Sequence, residues 1–196
     1  VETLSWVGDL DGHLRMIDQT QLPGEFLQID CIEIQEVWDA IKQLKVRGAP
    51  AIGIAAAYGV CLAAKNAIQT GAQDPQQVTQ EQADYLATSR PTAVNLFWAL
   101  NRMKPVIQSD ATDLADWQRR LLAEAKEIHE EDRRMCHRIG ECGAALLSDG
   151  DSVLTHCNAG GLATAEYGTA LSVFFTAQDQ GKSLHVFVDE TRPLLQ

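Results

Sequence analysis

Between Ile34 and Leu44 the apolar positions are Ile34, Val37, Trp38, Ile41 and Leu44, a three-and-four spacing that predicts an amphipathic helix. The following stretch, "APAIGIAAAYGVCLAAKNA", has almost no polar face, and its alanines and glycines predict a buried packing helix that neighbours can approach closely. A polar loop, "GAQDPQQ", leads into a further helix through about Thr88, and "TAVNLFWALNRMKPVI" reads as the next, ending near Pro105. From Asp113 to Leu147, Leu114, Trp117, Leu121, Ile128, Met135, Ile139 and Leu146 form one stripe opposite a charged face, which predicts a long amphipathic helix.

At both ends of this helical region the period changes. "HLRMIDQT" and "EFLQIDCIEI" are β-prone runs separated by "QLPG", where Pro23-Gly24 suits a turn, so a small β unit is expected there. Beyond Gly150, "SVLTH" is a short β run, "CNAGG" a turn, "LATAEYGTALSVFFTAQDQG" a helix closing on Gly181, and "SLHVFVDE" a second β run. That β-α-β order implies parallel strands. The expected fold class is therefore α/β: residues 1–148 form a mostly helical N-terminal domain with a small β unit, and residues 149–196 begin a doubly wound domain. Two strands cannot bury both faces of a parallel sheet, so more strands are expected beyond Gln196 or from another chain. Val1 is not an initiator Met and Gln196 follows directly on a strand-like run, so the chain is expected to be a segment of something longer.

Composition narrows the function classes. A hydrophobic share of 45% supplies a real core, while a net charge of −11 and a pI near 4.8 argue against a sequence-independent grip on nucleic acid. Any anion must be held by a few local groups. No apolar run reaches the roughly 20 residues of a membrane span and no signal-peptide layout is present, which makes the cytoplasm the expected location, with no membrane partner. The five cysteines show no CxxC pair, and three of them lie in helix-like patterns, so neither a disulfide framework nor a zinc knuckle is expected.

Three arginines stand near prolines at element ends. Arg47 precedes a helix start at which Pro50 suits the N1 position and Gly48-Ala49 leave backbone amides uncovered; Arg90 precedes Pro91 at another helix start, with Thr92 and Asn95 on its first turn; Arg192 and Pro193 follow the last strand. Either these arginines converge on an anionic ligand or each pairs with a local carboxylate. Cys157 falls after a strand and before a glycine turn, where open α/β sheets bind ligands. A following helix N-terminus would favour its thiolate, a dry pocket its neutral, proton-donating form, and a packing role neither. The run lacks GxGxxG, and one His beside one Cys is too little for a metal. His156 reads more as a hydrogen-bonded strand-end residue than as a catalyst, and Asp189 and Glu190 as groups that cap a helix or orient an arginine.

The segments "IDQTQLP", "VRGAPAIGIAAAYG", "SRPTAVNL", "LTHCNAGGLAT" and "VFVDETRPLLQ", in this order over nearly the whole chain, resemble the methylthioribose-1-phosphate isomerases of methionine salvage. The resemblance implies a helical N-terminal domain followed by a Rossmann-like domain, usually in a homodimer. It implies conversion of 5-methylthioribose 1-phosphate, a small phosphosugar, into 5-methylthioribulose 1-phosphate with neither cofactor nor metal. By motif position it implies that Arg47, Gly48, Ala49, Arg90 and Gln196 bind substrate and that Cys157 is catalytic. The family's second catalytic residue, an aspartate ahead of an Asn-Lys pair, has no counterpart in this sequence. Two relatives share much of the pattern: ribose-1,5-bisphosphate isomerase, whose second phosphate would call for more basic groups than this chain has, and the non-catalytic regulatory subunits of the translation-initiation exchange complex. An intact "THCNAGG" beside "RGAPAIG" favours the enzyme.

Overall fold

The computed structural model describes residues 2–191. Three strands come first, β1 (Leu4–Val7), β2 (His13–Ile17) and β3 (Gln28–Cys31), then the helices α1 (Ile34–Lys42), α2 (Ala49–Gln69), α3 (Pro75–Ala87), α4 (Val94–Ile107) and α5 (Leu114–Ala144). The strand β4 (Ser152–Thr155), a 3-10 turn (Gly161–Ala163), α6 (Ala170–Asp179) and β5 (His185–Val188) complete the described order. Packing separates two units, one spanning Leu4–His129 and one holding Thr3 and residues 130–191. The fold class is α/β. The division between the units falls inside α5, and the change to parallel strands comes at β4, just past residue 148.

In the first unit β1, β2 and β3 form an antiparallel meander, with Leu4 opposite Met16 and Leu14 opposite Cys31. Strand alternation turns those four side chains inward, while Arg15 and Asp30 pair across the outer face at 2.7 and 2.8 Å. The β1 strand was not foreseen. Its four residues include only Leu4 as a fully buried side chain, too short a signal to read alone.

α2 is the core of this unit, buried from Ala51 through Lys65. Its small residues let neighbours close in: a Cβ on Gly53 would lie 3.0 Å from the Asn95 carbonyl oxygen, and one on Gly59 would press on Leu86 and Val37. At 21 residues and a mean hydropathy of 1.5, α2 is long and apolar enough to cross a membrane, contrary to the expectation that no such run exists. Protein covers most of it, which accounts for its composition. α1 follows the predicted stripe, with Ile34, Val37 and Ala40 to Ile41 inside and a Glu33/Glu36 capping box at its start. α4 continues through Pro105 to Ile107; in the last turn the missing amide forfeits a single intrahelical bond. The stripe on α5 is buried at Trp117, Leu121 and Ile128, and Trp117 Nε1 donates to the Ile107 carbonyl at 3.1 Å. Farther along the helix, Met135 is largely exposed.

In the second unit β4 and β5 pair in parallel, Ser152 with His185 and Thr155 with Val188. α6 connects them and packs on the end of α5, where a side chain on Gly140 or Gly143 would collide with Thr176 and Val173. Leu154, Phe187 and Val188 are 67%, 54% and 69% exposed, an apolar surface of the kind parallel sheets ordinarily cover. The predicted helix over residues 162–180 is shorter than expected. Residues before Ala170 form bends and the 3-10 turn, and the helix proper waits for the backbone to be released by Gly168 at φ 88°.

Candidate active site

The segment carrying Arg47 is fixed by its backbone. α1 ends with Leu44 in the left-handed region at φ 63°, and the Lys45 and Val46 amides both donate to the Ala40 carbonyl at 2.9 and 3.3 Å. Val46 is fully buried, so the chain turns outward at Arg47. Gly48 then caps α2 without a side chain to cover the first-turn amides. Ala49 is the first helical residue, which puts Pro50 at N2, one place later than expected.

Arg90 belongs to the connection between α3 and α4. Its Nη1 donates to the Arg47 carbonyl at 3.4 Å, and the Ala93 amide donates to the Arg90 carbonyl at 3.0 Å, closing a turn over Pro91 and Thr92. α4 begins at Val94, so Pro91 and Thr92 lie before the helix and only Asn95 sits on its first turn. The close approach of Gly53 to Asn95 brings the opening turns of α2 and α4 against each other. Arg47, Gly48, Ala49 and Arg90 thus come together in the first unit. Partial burial lowers the Arg47 guanidinium from its ordinary value, leaving it a cation at neutral pH. Arg90 has no ion pair among the described residues, which removes for it the alternative of a local carboxylate partner. Such a pair of arginines beside uncovered amides can bind a phosphate.

Cys157 belongs to the second unit. It follows β4 by two residues, is exposed, and holds φ 64°, a conformation that costs a non-glycine residue roughly 1–2 kcal/mol. The loop after it is pinned on several sides. Thr169 and Leu171 amides donate to the Ala159 carbonyl at 2.9 and 3.3 Å, and the Gly168 amide donates to Thr164 Oγ1 at 2.9 Å. Thr3 Oγ1 donates to the Gly161 carbonyl at 2.6 Å, and Asp132 accepts from the Ala165 amide at 2.7 Å. A strained residue held by an over-determined loop is typical of functional turns. α6 begins only at Ala170, later in the sequence than expected, and its start folds back onto the turn through the bonds of Thr169 and Leu171 to the Ala159 carbonyl, two residues past Cys157.

Beside Cys157, His156 Nδ1 lies 2.8 Å from Asp189 Oδ2. A carboxylate can only accept, so Nδ1 carries the hydrogen and Nε2 is the outward nitrogen. Among the described contacts Asp189 neither caps a helix nor orients an arginine; it holds His156, which is the hydrogen-bonded strand-end residue that was expected. The signal for this pair was the register. Thr155 lies opposite Val188, so the next residues on each strand also face one another.

The remaining cysteines are of a different kind. Burial pushes the Cys31 thiol up to about 12 and Cys136 up to about 11, and raises Cys61 as well, while Cys142 is exposed. All five are free. No group of three or more His, Cys, Asp or Glu is placed to hold a metal among the described residues. Gln196 and Arg192 lie outside the described residues.

The profile of the Initiation factor 2 subunit family matches residues 45–196. A 5-deoxyribose 1-phosphate isomerase of Moorella thermoacetica is 55% identical over 100% of this chain and 55% of its own length. The crystal structure of 5-methylthioribose 1-phosphate isomerase from Pyrococcus horikoshii OT3 superposes with a TM-score of 0.89 at 38% identity, covering 100% of this chain and 54% of that one. That of translation initiation factor eIF-2B subunit delta from A. fulgidus does so with a TM-score of 0.86 at 41% identity, over 100% and 56%. The chain spans about half the length of the relatives it matches.

Proposed function

We propose that this chain, which belongs to the Initiation factor 2 subunit family, is the part of an aldose–ketose isomerase that carries its phosphate anchor and its reactive cysteine. The substrate on this reading is 5-methylthioribose 1-phosphate and the product 5-methylthioribulose 1-phosphate. The observation that carries it is the pairing of Arg90 with the Arg47 carbonyl at the uncovered start of α2, a seat for a dianion in a chain of net charge −11.

The reaction sets clear demands. The C1–O4 bond of the furanose opens and its electron pair leaves with O4, which takes a proton. The C2 hydrogen moves to C1, and the C2 hydroxyl gives up its proton as the carbonyl forms. The phosphate stays on C1 throughout, so Arg47, Arg90 and the amides of Gly48 and Ala49 bind a group that does not react, and their binding energy holds the sugar in place. Cys157 exchanges a proton or stabilises charge at C1 and C2. Gln196 binds substrate by motif position. The protein is cytoplasmic and a homodimer on this reading.

A second substrate, 5-deoxyribose 1-phosphate, is favoured by the name of the 55%-identical relative. It differs only in lacking the methylthio group at C5, so the same phosphate seat serves both. The test is to compare kcat/KM of the full-length protein for 5-methylthioribose 1-phosphate, 5-deoxyribose 1-phosphate and ribose 1,5-bisphosphate. Preference for the methylthio sugar supports the first reading and preference for the deoxy sugar the second. Preference for the bisphosphate, or no turnover of any, overturns both.

A further inference from the structure

The turn Asp18-Gln19-Thr20, part of the "IDQTQLP" segment, takes no part in the chemistry above, yet its backbone leads directly to the phosphate seat. Asp18 is only 4% exposed, an expensive place for a carboxylate. Its Oδ1 accepts two bonds from Thr20, from the amide at 3.0 Å and from Oγ1 at 2.6 Å. Its own amide is tied to the Leu27 carbonyl at 2.9 Å. Between these two anchored residues, the Gln19 amide donates to the Lys45 carbonyl at 3.0 Å.

Lys45 stands two residues ahead of Arg47. Its amide and that of Val46 bond back to α1, the Val46 side chain is buried, and the Arg47 carbonyl accepts from Arg90 at a long 3.4 Å. The Gln19–Lys45 bond adds a tie from the turn after β2 to the peptide between the left-handed Leu44 and the start of α2. We infer that Asp18 is a positioning residue: by locking Thr20 it holds the Gln19 amide against the Lys45 carbonyl, and through that bond it sets where Arg47 presents its guanidinium. This rests on the reading of Arg47 as a phosphate anchor. A small displacement of such an anchor weakens binding of the phosphosugar, since the guanidinium must meet its anion at hydrogen-bond distance.

The test uses the full-length protein with Asp18→Ala, Asp18→Asn and Thr20→Val. Three readouts are taken: kcat and KM for the phosphosugar, the Kd for inorganic phosphate, and the amide hydrogen exchange rate of Gln19. In Asp18→Ala, KM and the phosphate Kd rise about tenfold, kcat stays within about twofold, and Gln19 exchange speeds up. In Asp18→Asn all three return towards wild type, because an amide oxygen accepts both Thr20 bonds. A merely structural role would lower the melting temperature without moving KM or Kd, and unchanged KM and Kd in folded Asp18→Ala overturn the inference. If Asp18→Ala does not fold, Thr20→Val, which loses one donor and keeps the carboxylate, decides on the same criteria. Absence of turnover in the wild type defeats the isomerase reading alone, since phosphate affinity then still decides whether Asp18 positions the seat.

Discussion

Replacing Gly168 with alanine tests whether the Cys157 loop is as tightly determined as its hydrogen bonds suggest. Gly168 has φ 88°, and a Cβ there would lie 2.7 Å from the Ala159 carbonyl oxygen and from two backbone atoms of Gly160. Those atoms belong to the turn immediately after Cys157 and cannot swing aside as a side chain would. Gly150 supplies the control: its φ is 85°, and a Cβ would meet nothing within 4 Å. Both substitutions carry the positive-φ cost of roughly 1–2 kcal/mol, offset by about 0.4–1 kcal/mol from the stiffer unfolded chain. Gly150→Ala should therefore destabilise by about 1 kcal/mol. Gly168→Ala adds an overpacking cost of about 1–3 kcal/mol, for a total of about 2–4 kcal/mol. Urea unfolding of the two variants and the wild type gives the difference directly, and Gly168→Ala should also lose turnover as the loop shifts. Equal destabilisation by the two variants, to within about 0.5 kcal/mol, would refute the packing argument for this loop.

Cys157→Ser should cut turnover on the order of a hundredfold or more while leaving the substrate Kd unchanged, measured by single-turnover kinetics and equilibrium titration. Arg90→Lys should raise KM about tenfold, because an ammonium cannot reproduce the planar guanidinium fork; an unchanged KM would remove Arg90 from the phosphate seat. A thiol reagent at pH 8 should modify Cys142 and Cys157 rapidly and Cys31, Cys61 and Cys136 only after unfolding. Burial holds Cys136 at about 11 and Cys31 at about 12, above the ordinary 9.0 of the unfolded chain. The unfolded state therefore binds fewer protons above pH 9, and urea-measured stability should fall as pH rises from about 9 towards 11.

The helices were the most legible part of the chain, because a stripe such as Ile34, Val37 and Ile41 or Trp117, Leu121 and Ile128 repeats often enough to fix period and face. Where the stripe and the structure part, at Met135 and Leu146, apolar residues keep the helical spacing while standing 60% and 84% exposed, and spacing carries no information about what covers a face. Short elements fared worse. β1 offers a single buried side chain, and the helix expected after Cys157 was extended over residues whose path is set by Gly168, by the donors of Thr3 and by the acceptor Asp132, distant in sequence. The proposed phosphate seat was half legible: the two arginines could be picked out beside prolines, but the Arg90–Arg47 contact and the Gln19–Lys45 bond join separate segments.

The central claim, that this chain supplies the phosphate seat and the reactive thiol of an aldose–ketose isomerase, is tested most directly by identifying the product formed from 5-methylthioribose 1-phosphate. The full-length wild-type protein and its Cys157→Ser variant are followed side by side by NMR. The account predicts that the wild type forms the ketose, with the phosphate still on C1, and that the variant binds the substrate without forming it. No ketose from the wild type, or equal rates of ketose formation by the two proteins, would contradict it.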